Sequence, residues 1–256
     1  MNYFRTVFSL AKLNAREWIR LKFFHIVVFF GLLLISFSHL LSSLTFSVQE
    51  RLLYDFALGS LEIGLIMIAS LIGSHAIQRE VDRKTMFVLL ARPIPRNSIV
   101  LGAWGSIFIL SLIFLAGFLV SFWATSWDSV PVTGVFVSAF TTLLKTMVIS
   151  SVALAFGLLV RPILALAATV CYWILCYSIL DIQFFVNKLE SAELTRVFNI
   201  LKKIFPEFYT YNWKSYYYVQ NVPTSGEILW SSLHSISWMC IWLLIACLVF
   251  RRKEIA

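Results

Sequence analysis

Charge is scarce in this sequence. Only 13% of its 256 residues are Asp, Glu, Lys or Arg, where a soluble domain of that size carries roughly a quarter. The shortage excludes an ordinary soluble domain. Together with 60% hydrophobic residues, 16% aromatics and a mean hydropathy of +0.85, it indicates an integral membrane protein. Cysteine is sparse as well. Cys171, Cys176, Cys240 and Cys247 all lie inside apolar runs with no C-x-x-C spacing, which excludes a zinc knot or redox pair and reads as buried, inert thiols. His25, His39, His75 and His234 are scattered near the ends of different runs, without H-E-x-x-H or other ligand spacing, so no metal site is expected. GxSxG, GxGxxG and the phosphate-cradling G-x-x-x-x-G-K-[ST] are missing too, so the chain is not expected to be an enzyme or to hydrolyse ATP itself. Net charge is +8, yet the basic residues fall between apolar runs instead of on one face, which argues against nucleic acid.

Long apolar runs are what the sequence does have. A helix needs about 20 such residues to cross a hydrocarbon core of roughly 30 Å, and six segments qualify: 23–44, 56–77, 98–124, 132–160, 163–182 and 228–250. The first follows positive charges as a signal peptide would. It is long enough to span and no small-x-small cleavage site follows it, so it reads as a retained helix. Only Val160, Arg161 and Pro162 separate the fourth and fifth runs. Arginine marks a water boundary there and proline opens a new helix, so the two form a tight hairpin. Of the 21 basic residues, fourteen fall on the side of the N-terminus, six on the opposite side, and Lys145 within a run. The imbalance puts both termini in the cytoplasm. Trp123, Trp127 and Trp230 then stand at the outer interface, as belt residues do.

Residues 1–22 carry Phe4, Phe8, Ala11, Ala15 and Trp18 on one helical face and Arg5, Lys12, Arg16 and Arg20 on another. This is an amphipathic helix suited to the cytoplasmic interface of the bilayer; a helix packed on a partner is the alternative. The only large excursion outside the spans is 183–227. Its first half places Leu189, Val197, Leu201 and Ile204 on one face, as a helix resting on the outer surface does. Its second half is rich in Tyr and Trp, which read as anchors in the headgroup layer, with substrate binding as the other use of such residues.

Two ionisable side chains, Glu62 and Lys145, fall well inside spans. Each is costly facing lipid and is expected to face protein or water. Seventeen residues separate Glu62 from Arg79 and sixteen separate Lys145 from Arg161, which places both roughly 25 Å from the cytoplasmic charge line at the rise of an α-helix. Opposite sign and matched depth allow an ion pair between the second and fourth spans. Two uses fit it: polar lining for a transport path, or a bond that fixes packing.

The most charged stretch, residues 78–97, lies between the second and third spans. Nothing from Ser74 to Leu90 breaks a helix, so the second span is expected to continue into water. Glu80, Asp82, Arg83 and Lys84 crowd its exposed turns, followed by Met86, Phe87, Leu89 and Leu90, too apolar for a solvated loop. Pro93 disfavours helix at Arg92, and Pro95 with Asn97 turns the chain back. A short helix with a sticky face beneath the bilayer results, and it either docks a partner or folds against its own helix ends.

Glu80, Thr85, Leu89-Leu90, Arg92-Pro93 and Arg96 resemble the E…T…LL…RP…R pattern of type-2 ABC exporter permeases. More narrowly they resemble the six-span subfamily that includes the nitrous-oxide-reductase maturation and gliding-motility permeases. Pro206 and Asn212 match that subfamily's P-x-x-x-x-x-N pattern before the last span. Lys84, where the family often has glycine, and Gly102-Ala103, where it often has Gly-Lys, depart from it. The resemblance implies one all-α transmembrane domain over residues 1–256. It would comprise six spans, an interfacial N-terminal helix, a cytoplasmic coupling helix and an outer helical loop.

It further implies that Glu80, Arg83, Lys84, Thr85, Met86, Phe87, Leu89, Leu90, Arg92 and Arg96 engage an ABC ATPase subunit. That subunit would be present in two copies beside a second permease chain and would carry ATP and magnesium; no cofactor binds here directly. The expected site of action is the bacterial cytoplasmic membrane, with an amphiphile as substrate. Two rivals predict different things. An ion-coupled secondary transporter using Glu62 and Lys145 calls for internal repeats, and none is evident. A scaffold for extracytoplasmic partners, using 183–227, would assemble normally after the Met86–Leu90 face is made polar.

Overall fold

A computed structural model of the chain describes residues 3–21, 49–82, 95–126, 132–189, 192–213 and 223–252, with His25, Val28, Phe29, residues 31–33, Ser36, Phe37 and Leu40 between the first two blocks. Among the described residues the regular structure is entirely helical. In chain order the helices are α1 (Tyr3–Arg20), α2 (Gln49–Asp82), α3 (Arg96–Ser126), α4 (Val132–Leu159), α5 (Pro162–Lys188), α6 (Ala192–Ile204), a 3-10 turn (Phe208–Tyr211) and α7 (Ser225–Arg252). Five of these, α2, α3, α4, α5 and α7, are long and apolar enough to cross a membrane. They coincide with the second to sixth runs, while the run at 23–44 lies largely outside the described residues.

Local chemistry sets several helix ends. Pro162 occupies the first turn of α5, where its missing N–H costs nothing, after an extended Arg161. Helix α7 opens on a reciprocal capping box. The Thr224 N–H donates to Glu227 Oε2 at 2.8 Å, and the Glu227 N–H donates to Thr224 Oγ1 at 3.4 Å. Arg251 and Arg252 close α7, where cations complement the carbonyl end of the helix dipole.

Helix α4 is the central column, 78% buried over its apolar window, with α2 at 72%; α5 and α7, at 28% and 22%, turn most of their surface outward. Small hydroxylated residues explain the burial of α4. Thr142, Thr146, Ser150 and Ser151 each donate to a carbonyl one turn back, so no polar atom is stranded and neighbouring helices approach closely. Helices α2 and α4 run side by side in the same direction in one register. Tyr54 meets Ser138 at 3.1 Å and Glu62 meets Lys145 at 3.3 Å, sequence offsets of 84 and 83. Near their other ends a Cβ on Gly157 would stand 2.7 Å from the Ser74 carbonyl oxygen, and one on Gly73 2.5 Å from the Ala153 Cβ. Backbone approaches backbone there, which only glycine permits.

The ends of α2, α4 and α7 and the starts of α3 and α5 share one face of the bundle. Arg79, Arg96, Arg161 and Arg251 mark it as the basic end. Helix α1 packs closely against α3, with Leu10 and Ala11 against Gly102 and Gly105. It buries Ala11, Ala15 and Trp18 and leaves Phe4 and Phe8 exposed. The apolar face read from the sequence is thus shared between the protein and its surroundings.

The outer excursion corrects one expectation. Helix α6 is present, with Phe198 buried on α5. Residues 205–213 of the aromatic stretch after it do not stay at headgroup level, while Tyr216, Tyr217 and Tyr218 lie outside the described residues. Phe208 is fully buried and Trp213 nearly so. Phe205 lies 5.1 Å, centroid to centroid, from Tyr172, which is eleven residues past Arg161, or roughly 16 Å up α5 and close to mid-membrane. The segment re-enters the bundle because α5 and α7 offer it an aromatic wall. Trp242 Nε1 donates to Tyr172 Oη at 3.2 Å, and the two rings meet edge to face.

Candidate functional site

Lys145 and Glu62 are 1% and 4% exposed in their side chains. At that burial an ionised group survives only if it is paired and hydrogen-bonded. Both conditions are met, with a third residue taking part. Lys145 Nζ donates to Glu62 Oε1 at 3.3 Å and to Tyr177 Oη at 2.6 Å, and Tyr177 Oη donates to the same Glu62 oxygen. The three contacts form a closed triangle that ties α2, α4 and α5 together. The ammonium is 4.9 Å from the Tyr177 ring centroid but far closer to its oxygen, so it stands off the hydroxyl end of the ring. The hydrogen bond, and not a cation–π contact, carries that side. With Glu62 and Lys145 both ionised, net charge within the triangle is zero, which makes it tolerable at this depth. Among the described residues no group of His, Cys, Asp and Glu could hold a metal ion.

Tyr177 escaped the reading of the sequence, although a signal for it was present. It lies sixteen residues after Arg161, just as Lys145 lies sixteen before it. A tight antiparallel hairpin turning at Arg161-Pro162 brings equidistant residues to one level. Two aromatic rings flank Tyr177: Phe208 of the re-entrant segment meets it edge to face at 6.4 Å, and Trp173, one turn earlier on α5, does so at 5.9 Å.

The second group of expected site residues belongs to the basic end. Glu80 is half-buried in the last turn of α2, and Arg96 is exposed at the start of α3. Arg83, Lys84, Thr85, Met86, Phe87, Leu89, Leu90 and Arg92 lie outside the described residues. What can be described is how both flanks of that stretch are held. On the α2 side Arg79 reaches Glu17 at 3.8 Å and lies over the Trp18 ring at 4.8 Å, so α1 grips it. On the α3 side Arg96 Nη1 donates to the Arg251 carbonyl at 3.3 Å, binding it to the end of α7. An otherwise unsatisfied carbonyl of a helix terminus thereby gains a donor.

A family model described as ABC-2 family transporter protein matches residues 58–255, from the first buried turns of α2 to the chain's end. No curated protein matches the chain. The match spans all five membrane-crossing helices described above, so this multi-span membrane protein belongs to the ABC-2 transporter family, whose members act as permease subunits with an ABC ATPase partner.

Proposed function

We propose that the chain is the exporting permease of an ATP-binding-cassette complex in a bacterial cytoplasmic membrane, its basic end and both termini facing the cytoplasm. Two permease chains, identical or related, act with two ATPase subunits. Those subunits carry the ATP and magnesium, and this chain binds no cofactor of its own. The observation that carries the reading is the double anchoring of the segment between α2 and α3. Arg79 ties one flank to α1 and Arg96 ties the other to α7. A segment held at both ends passes a push on to the helices instead of absorbing it.

Met86, Phe87, Leu89 and Leu90 supply the apolar grip on the ATPase, and Glu80, Arg83, Lys84, Thr85, Arg92 and Arg96 set its register. Closure of the nucleotide sites moves the basic ends of α2 and α3. Helix α2 is in register with α4 along its length, so the movement reaches Glu62, Lys145 and Tyr177 as a unit. Displacement of Tyr177 loosens the seat of Phe208 and opens the far end. Apolar outward faces and an amphipathic α6 at that end suit an amphiphilic substrate leaving sideways. Co-purification with a soluble ATPase tests the reading. Leu89→Asp places a charge in the grip and is expected to abolish both association and coupled hydrolysis. Retained binding with unaltered hydrolysis removes it.

A further inference from the structure

Helix α1 has three sides, and two of them are accounted for. Ala11, Ala15 and Trp18, spaced by four and three residues, face the bundle. Phe4 and Phe8, one turn apart, are 85% and 65% exposed beside that face, where they can enter hydrocarbon. Beyond them lies an arc formed by Arg5, Lys12, Arg16 and Arg20, at helical spacings of seven, four and four, and all four residues are exposed. Among the described residues none of these cations has an ion-pair partner. The only acid of the helix, Glu17, points elsewhere and is engaged by Arg79.

We propose that this arc is a binding site for anionic phospholipid headgroups of the leaflet at the basic end. An apolar edge flanked by a row of cations matches that boundary, with aromatic side chains among acyl chains and cations at phosphate level. Each such cation near an anionic surface adds a further increment of attraction. Charge complementarity selects the lipid over a protein groove, because a protein partner would leave Phe4 and Phe8 beside it in water. The site adjoins the machinery described above, since Trp18 and Glu17 of the same helix hold Arg79. Lipid bound along α1 therefore fixes one anchor of the segment between α2 and α3. The proposal does not rest on the direction of transport or on its substrate.

The test uses the full chain in phosphatidylcholine nanodiscs doped with a photoactivatable phosphatidylglycerol, labelled peptides being mapped after digestion. Labelling is expected to concentrate on α1 and to fall at least about tenfold in the Arg5→Gln, Lys12→Gln, Arg16→Gln triple variant. It is also expected to weaken as salt is raised. An Arg251→Gln, Arg252→Gln variant is expected to keep it. A phosphatidylcholine photoprobe applied to the unaltered chain guards against a folding defect in the triple variant. Equal labelling of α1 by the two probes overturns the proposal, as does equal loss in the Arg251, Arg252 variant. Labelling of α1 that disappears when the ATPase is bound overturns it too, by making the arc a protein-docking face.

Discussion

At the scale of single residues, the triangle of Glu62, Lys145 and Tyr177 concentrates the energetic risk. Lys145→Met leaves a carboxylate buried without its cation, a loss of about 3–5 kcal/mol where one partner of a buried pair is removed. Tyr177→Phe removes one hydroxyl and is expected to cost about 1–3 kcal/mol. Replacing both charges, as Glu62→Leu with Lys145→Met, removes the desolvation penalty with the attraction and is expected to restore most of the stability. Thermal unfolding in detergent, followed by the loss of the monodisperse species, ranks the three. A Lys145→Met protein as stable as the parent, or a double variant worse than either single one, contradicts this account. Glu62 and Lys145 were legible in the sequence because charge in an apolar run has few physical explanations. Tyr177 was not singled out because an aromatic in a span is ordinary until its partner is known.

At the scale of elements, the pairing of α2 with α4 is set by contact between backbones. Gly157 leaves no room for a side chain beside the Ser74 carbonyl, so Gly157→Val must push the helices apart. A cost of about 1–3 kcal/mol is expected, as for other overpacked sites. Gly117 of α3 has nothing within 4 Å of the position a Cβ would take, and Gly117→Ala is expected to gain up to about 1 kcal/mol through helix propensity. Chemical denaturation of the two variants in the same detergent decides the matter; equal effects would mean that the close crossing does not matter. The start of α5 was readable in advance, from Arg161-Pro162, because caps depend on neighbours in the chain; the Thr224-x-x-Glu227 box that opens α7 is just as local but was not picked out. The partner of α2 was not, since many faces of an apolar helix look alike in one dimension.

For the whole molecule, the re-entrant aromatic segment is expected to close the bundle over Tyr177 against water from the far side. Phe208→Ala removes the ring seated on Tyr177 and is expected to admit water toward the neighbouring Cys176, which is fully buried. Modification of Cys176 by a membrane-impermeant maleimide added from the far side measures this directly. Labelling is expected in the variant and not in the parent, and protection in both refutes the closure. The same aromatic stretch had been read as a headgroup anchor. Tyr, Trp and Phe satisfy a membrane interface and a packed core equally well, so composition could not separate the two.

Run lengths and the distribution of Lys and Arg sufficed, without any fold, to place the five apolar helices that the structure describes and to gather Arg79, Arg96, Arg161 and Arg251 at one end. A bilayer penalises every unsatisfied backbone group and every stray charge wherever it falls along the chain. Only the tertiary structure decided that α2 runs beside α4 in one register, that Tyr177 completes the ion pair, and that residues 205–213 sink between α5 and α7. Those outcomes depend on which apolar faces fit one another, a property of shapes in contact that hydropathy along a chain does not contain.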